Sequence, residues 1–319
     1  MGWDKLNLTP IALFVYNRPL HTQQTVEALM KNTLAAESEL LVFCDGPRDE
    51  SQRDNVRQVR KYIRTIDGFR KVTVVEQPEN FGLAASIIAG VTQVVNEYGR
   101  VIVLEDDIIT SPYFLTYMNQ ALEIYADELK VMSVTGYMFP VRVRLPETFF
   151  IYGGTSTWGW GTWKRAWAKF NPSASDLLEQ IMNHREFIPR FNFGGTYNYL
   201  KMLSDNAAGK NSSWGVRWYA SVFLGGSYGL WPGRSLAENI GLDSSGTHCG
   251  TSDAFRMSQL ADYIAINRIP IEECQEARKA ISDFYRRLQS GDAGLKQRTR
   301  RYLGSLMPQA LKRVIRYKF

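Results

Sequence analysis

Short apolar runs alternate with longer amphipathic segments over the first 135 residues. Residues 11–16, 40–44, 72–75 and 101–104 are the apolar runs, and each has the length and content of a buried strand. Between them, 22–32, 51–66 and 83–96 have helical character. In the second of these, Val56, Val59, Ile63 and Ile66 recur at helical spacing with Arg and Lys between them. Asp45-Gly46-Pro47 and Asn80-Phe81-Gly82 read as turns. The fourth run leads straight into Glu105-Asp106-Asp107. Ser111-Pro112 then predicts a further helix, with Ser as N-cap and Pro at the first helical position.

Strands that alternate with helices imply a mostly parallel sheet with crossover helices. Ligands of such sheets collect at the carboxyl ends of the strands. Those ends carry Asn17-Arg18, Asp45-Gly46, Asn80 and the acidic triplet, four polar clusters on one rim. The second half differs. Residues 155–167 read TSTWGWGTWKRAW, Trp214, Trp218 and Trp231 follow, and 273–289 forms an Arg-rich helical segment. No internal repeat stands out.

Composition narrows the class. A chain of 319 residues with 45% hydrophobic content can bury one large α/β core with a helical appendage. The run at 11–15 is too short for a secretory signal, and no uncharged apolar stretch reaches the roughly 18 residues of a membrane helix. Residues 81–95 come nearest, but Ser86, Thr92 and Gln93 mark a soluble helix. Cys44, Cys249 and Cys274 are odd in number and far apart, as expected of reduced thiols in a cytoplasmic protein. The net charge of +6 gathers in the tail, where 296–319 holds eight Lys or Arg and no acid. Such a tail suits a solvated helix face, an anionic membrane surface or a nucleic-acid patch. The aromatic residues lie elsewhere and no RNA-binding signature is present, so nucleic acid is not the expected partner.

Three adjacent carboxylates at a strand end repel one another unless a cation is present. Oxygen ligands of this kind suit Mg²⁺ or Mn²⁺, held by one or two carboxylates together with substrate phosphates. Behind a VIVL strand, that reading outweighs a solvated acidic turn. Asp45 before Gly-Pro also fits a turn cap, Arg18 a surface charge and Asn80 a turn residue. Trp158 and Trp160 suit a buried strand as well as a sugar platform.

The segment VIVLEDDIITSPYFLTYM resembles the metal-binding strand and helix of GT-A glycosyltransferases, closest in pattern to the N-acetylglucosaminyltransferase I family and its bacterial relatives. LFVYNRP and FCDGP resemble its first two strands, and ENFGLAASIIAGV a helix start common in bacterial GT-A enzymes. The resemblance covers roughly residues 11–250. It implies an α/β GT-A (Rossmann-like) fold, a mixed, mostly parallel sheet flanked by helices, with a C-terminal helical extension. The implied roles are metal coordination for Asp107, ribose and sugar contacts for Asp106 and Glu105, a base contact for Asp45 and a diphosphate contact for Arg18. Asn80 joins the donor-binding set. The TWGWGTW stretch resembles sugar-facing loops of GT-A families and adds Trp158, Trp160 and Gly161, although no acid follows it here. The family's base lies between two tryptophans. The stretch from Trp214 to Trp218 has none, so Glu238 and Asp243 are the candidate bases, and His248 is a candidate second metal ligand.

The expected function is therefore transfer of a sugar from a nucleotide donor, UDP for preference, to a glycan or lipid-linked acceptor with Mn²⁺ or Mg²⁺, with inversion. A sugar-nucleotide nucleotidyltransferase is the alternative enzyme, but YNRPLHT lacks the glycine-rich loop such enzymes carry after the first strand. The expected organisation is a catalytic domain over 1–255, with nucleotide-sugar-binding (1–135) and acceptor-binding (136–255) halves, and a helical region over 256–319. The basic amphipathic stretch 297–319, broken by Pro308, would suit a peripheral position on the inner face of the cell membrane.

Overall fold

The computed structural model describes residues 8–243 and 253–306. An eight-stranded sheet forms the centre, in the order β3-β2-β1-β4-β8-β6-β9-β7. The strands are β1 Ile11–Val15, β2 Glu39–Cys44, β3 Lys71–Glu76, β4 Arg100–Glu105, β6 Val131–Thr135, β7 Thr148–Tyr152, β8 Trp160–Trp163 and β9 Tyr228–Pro232. β1 pairs in parallel with both β2 and β4, and β2 with β3. β8 runs antiparallel between β4 and β6, and β7 runs antiparallel at the edge beside β9. Six strands therefore point one way and two the other, as expected of a mixed, mostly parallel sheet. A second, two-stranded sheet pairs β5 Ile108–Thr110 with β10 Ala237–Asn239.

Helices α1 Pro19–Met30, α2 Arg53–Ile63 and α3 Leu83–Tyr98 are the crossovers of the first half. Their spacing dictates their packing. Val56, Val59 and Ile63 of α2 are all buried, while Arg57 and Lys61 between them face out. The first half thus has the elements its pattern predicts, within a few residues at the ends. Helix α4, Phe114–Ile124, starts later than Ser111-Pro112 predicts. The Ser111 amide is taken by Leu236 O, and its hydroxyl is buried without a partner rather than capping the helix. Ser111 directly follows β5 and bonds to the residue before β10, so it extends the end of the small sheet and does not start the helix.

The second half adds α5 Lys164–Trp167, α6 Ala174–Asn183, α7 Ile188–Phe191, α8 Tyr199–Ala207 and α9 Trp214–Leu224. Ser213 caps α9 by accepting from the Val216 amide at 3.3 Å. The last helix, α10, runs unbroken from Gln275 to Leu306, longer than the 273–289 segment read from its Arg pattern. Its first turns are part of the core. Ile281, Phe284 and Tyr285 pack with Phe149 and Trp231, and the Cys274 amide bonds to Phe150 O on the edge strand. The break at Pro308 and the end of the basic tail lie outside the described residues. Among the described residues no helix is long and apolar enough to cross a membrane.

Candidate active site

Parallel strands bring their carboxyl ends to one rim, and the four polar clusters meet there. β1 delivers Arg18, and neighbouring β4 delivers Glu105, Asp106 and Asp107. The Arg18 guanidinium bonds to both Asp106 and Asp107, at 2.9 Å to Asp107 Oδ2. The Thr25 hydroxyl of α1 donates to Asp106 O at 2.9 Å and pins the triplet's backbone to that helix.

The electrostatics are unusual for a surface turn. Asp106 and Asp107 are both buried. Burial pushes the Asp106 carboxyl up against the pull of Arg18. Glu105 is pushed up to about 8, by burial first and then by Asp107 and Asp106, with Arg18 and the Trp214 indole pulling the other way. Burial works against the Arg18 charge, but the two aspartates outweigh it and hold the guanidinium firmly protonated. Within this cluster two buried atoms of charged side chains, Asp107 Oδ1 and Arg18 Nη1, have no hydrogen-bond partner among the described residues. An orphaned buried charge costs more than the roughly 1–3 kcal/mol of a neutral polar group. An anionic oxygen donor and a cationic nitrogen side by side fit a metal-bound diphosphate, the oxygen for a hard cation and the guanidinium for phosphate. Among the described residues no three His, Cys, Asp or Glu side chains gather into a metal cage. Asp107 could hold a cation together with substrate oxygens.

Asp45 is engaged differently. Its Oδ1 accepts from the Gly46 and Phe81 amides, and its Oδ2 from the Gly82 amide and Asn80 Nδ2, all at 2.9–3.0 Å. Those four bonds fill the acceptor capacity of a carboxylate. Asn80 is spent on the same turn, with a second bond to Gly46 O. Both residues fasten the loop after β3 to the end of β2, the turn role that stood in the sequence beside the donor contacts expected of Asp45 and Asn80.

Trp160 and Gly161, expected among the donor-binding residues, are buried within β8, where Trp160 stands level with Val103 of β4 and Thr135 of β6. Trp160 is fully buried against Trp167, Trp214 and Trp218. A Cβ on Gly161 would meet Met118 Cε at 2.9 Å and Val101 O at 3.0 Å, so the glycine lets α4 close on the sheet. Trp158, just ahead of the strand, is only half-buried and packs edge-on against Tyr137 and Phe255.

Glu238 on β10 lies in that aromatic neighbourhood. It accepts from the Met257 amide at 3.3 Å, and its charge acts on the buried Tyr137 hydroxyl, which has no hydrogen-bond partner. Asp243 lies beyond β10, with Oδ2 3.2 Å from His21 Nε2. His248 lies outside the described residues.

The structure adds residues the sequence reading passed over. The Trp214 indole lies near enough to Glu105 to favour its charged form. Gly241 lies so close to the acidic cluster that a Cβ would be 2.1 Å from Asp107 Oδ2 and 2.7 Å from Arg18 Nη1. His21 was legible only as a residue three positions after Arg18, one helical turn along.

Residues 11–174, just over half of the chain, match the family described as Glycosyl transferase family 2. No curated protein matches the sequence. Among solved structures, the mannosyltransferase PcManGT from Pyrobaculum calidifontis in complex with GDP-Man and Mn²⁺ is 14% identical. That alignment covers 57% of this chain and 49% of that one, with a TM-score of 0.33. The 1–349 fragment of S. aureus TarS is 16% identical over 54% of this chain and 49% of that one, with a TM-score of 0.34. The same fragment in complex with UDP is 15% identical over 54% and 48%, with a TM-score of 0.35. The chain thus spans about half the length of these structures.

Proposed function

We propose that this chain, which belongs to glycosyl transferase family 2, moves a sugar from a nucleoside diphosphate donor, UDP for preference, to a hydroxyl of a glycan or lipid-linked acceptor, with inversion. The observation that carries the reading is the pair of orphaned buried atoms, Asp107 Oδ1 and Arg18 Nη1, on the carboxyl rim of the sheet. A divalent cation, Mn²⁺ or Mg²⁺, would take up charge on the departing diphosphate.

The chain's own residues would do the rest. Asp107 holds the cation and Arg18 pairs with a diphosphate oxygen. Asp106 and Glu105 face the ribose and sugar, in line with the N-acetylglucosaminyltransferase I pattern. Asp45 and Asn80 shape the loop that borders the base. Glu238 takes the proton as the acceptor oxygen attacks the anomeric carbon and the bond to the diphosphate breaks. Glu238 is preferred over Asp243 because it stands near Tyr137, against which the half-buried Trp158 packs, a ring suited to the apolar face of a sugar, whereas Asp243 is paired with His21.

The proposed catalytic unit is 1–255, with 256–319 completing the edge of the core and carrying the basic tail. A cytoplasmic position, with 297–319 on an anionic membrane surface, accords with the tail's charge and with an acceptor linked to lipid. Binding to anionic vesicles that survives removal of 297–319 would overturn the tail's part. The donor is tested with a panel of UDP-, GDP- and CDP-sugars, following thermal stabilisation and hydrolysis with Mn²⁺ and with EDTA. Mn²⁺-dependent stabilisation by a UDP-sugar is expected, and full turnover in EDTA would overturn the metal's role.

A further inference from the structure

Arg18 stands at the N-cap of α1, and His21 follows three residues on in the first turn of that helix. His21 Nε2 and Asp243 Oδ2 lie 3.2 Å apart, within hydrogen-bonding reach. The imidazole is the more buried partner, with 16% of its side chain exposed against 46% for Asp243. It backs the carboxylate from the protein side.

The chain that leads to Asp243 is fixed at its other end by the acidic triplet. Asn239 pairs with Ile108 across the small sheet. Its side-chain oxygen accepts from the Gly241 amide at 2.8 Å, and the Ile240 amide bonds to Asp107 O at 2.9 Å. Gly241 then presses its bare Cα against the Asp107 carboxylate and Arg18. The turn over 240–243 is thus a wall of the Asp107–Arg18 cluster, tied to β5 at one end and to α1 at the other.

We propose that His21 is a positioning residue: through Asp243 it holds the 240–243 turn on α1, and so sets the space between Arg18 and Asp107 in which a metal-bound diphosphate is received. This rests on the reading of Asp107 and Arg18 given above. The physical ground is that a wall tied at one end only swings, and charged groups displaced by about 1 Å lose much of their effect on a bound group.

The experiment compares His21→Leu, His21→Gln, Asp243→Asn, the Leu/Asn double variant and Asp107→Ala in the full chain. Calorimetric titration with UDP in Mn²⁺ measures the site. Long-range ¹H–¹⁵N spectra of the imidazoles measure the pair in the absence of any ligand. His21→Leu and Asp243→Asn should each weaken UDP–Mn²⁺ binding about tenfold, the range of residues that orient a metal ligand. The double variant should lose no more than either alone. His21→Gln, whose amide places a donor near Nε2, should stay within about threefold of the parent. The His21 resonances should show a proton on Nε2 that Asp243→Asn displaces.

Normal binding by His21→Leu while Asp107→Ala fails to bind would overturn the inference and leave the site reading intact. So would additive losses in the double variant, or a His21→Gln as weak as the Leu variant. Normal UDP–Mn²⁺ binding by Asp107→Ala would instead overturn the site reading. The imidazole spectra, with melting temperatures of the single and double variants, then decide the His21–Asp243 tie by themselves. Should His21→Leu fail to fold, Asp243→Asn and His21→Gln carry the comparison.

Discussion

The two ends of the central sheet are built from the same strands and differ in kind. The amino end has the room: a cavity of about 1470 Å³, lined by Leu8, Arg70, Arg100, Tyr113 and Tyr263 among others. Its arginines are matched, Arg70 with Glu39 at 2.9 Å and Arg100 with Glu123 at 2.6 Å. The carboxyl end has the unmet demand: buried carboxylates crowded on one guanidinium, with an oxygen and a nitrogen that no group among the described residues satisfies. Volume arises wherever loops and helices fail to close over a sheet. Unmet buried charge costs stability and persists where something else is to complete it. The second property marks the site, and strand direction decides at which end it stands.

The strongest way to break this contrast is Asp107→Ala. Turnover should fall by roughly 10²–10³-fold, the scale of removing a group that stabilises developing charge, and the Mn²⁺ requirement should go with it. Steady-state assays with and without EDTA check both, and a metal-dependent Ala variant at parental speed would end the case for this rim.

Glu238→Gln should lower kcat by about 10²-fold with donor affinity unchanged, because a base acts only as the proton moves. An equal fall in Asp243→Asn instead would move the base to that residue.

Asp45→Ala sharpens the distinction within the rim itself. It strands three backbone amides, so about 3 kcal/mol of stability should be lost in chemical denaturation. If instead donor affinity falls and stability stays, Asp45 contacts the base directly.

The pH dependence is smaller and has a definite sign. Glu105 holds its proton to about 8 against an ordinary 4.5. Between those values the folded state binds a proton that the unfolded chain has released. This contribution to stability is therefore full below about pH 4.5 and is lost as pH rises through 8. EDTA-treated protein should show a declining melting temperature from pH 5.5 to 8 by calorimetry, a decline that Glu105→Gln flattens. An unchanged slope in that variant would remove Glu105 as the cause.

The smallest effect belongs to the amino end. Glu123→Ala breaks an exposed pair and should cost less than about 1 kcal/mol, with turnover intact. A large loss of activity would show that the cavity is not the bystander its paired charges indicate.

The sequence by itself determined the parallel half of the sheet. Alternating apolar runs and 3.6-residue periodicity are local patterns, and the right-handed crossover leaves little choice in how they assemble. It also determined that Arg18 and the triplet share a rim, because a parallel sheet sends the residue after each strand to the same side. The second half was less legible. β6, β7, β8 and β9 are short, and their partners are far away in sequence, so their pairing is decided only when the chain is assembled. That is why the tryptophans of 155–167 suited both a sugar platform and a core. Burial on both faces of β8 sent Trp160 inward and left Trp158 at the edge. Asp45 was readable as a polar residue at a strand end, but not as the acceptor of four bonds, since three of its donors are backbone amides that any residue supplies. His21, Gly241 and Asp243 had no common signal at all. They meet because β10 returns antiparallel to β5 and brings residues 240–243 back against α1, more than 200 positions away in the chain. Such a contact is a property of the path and not of any local pattern.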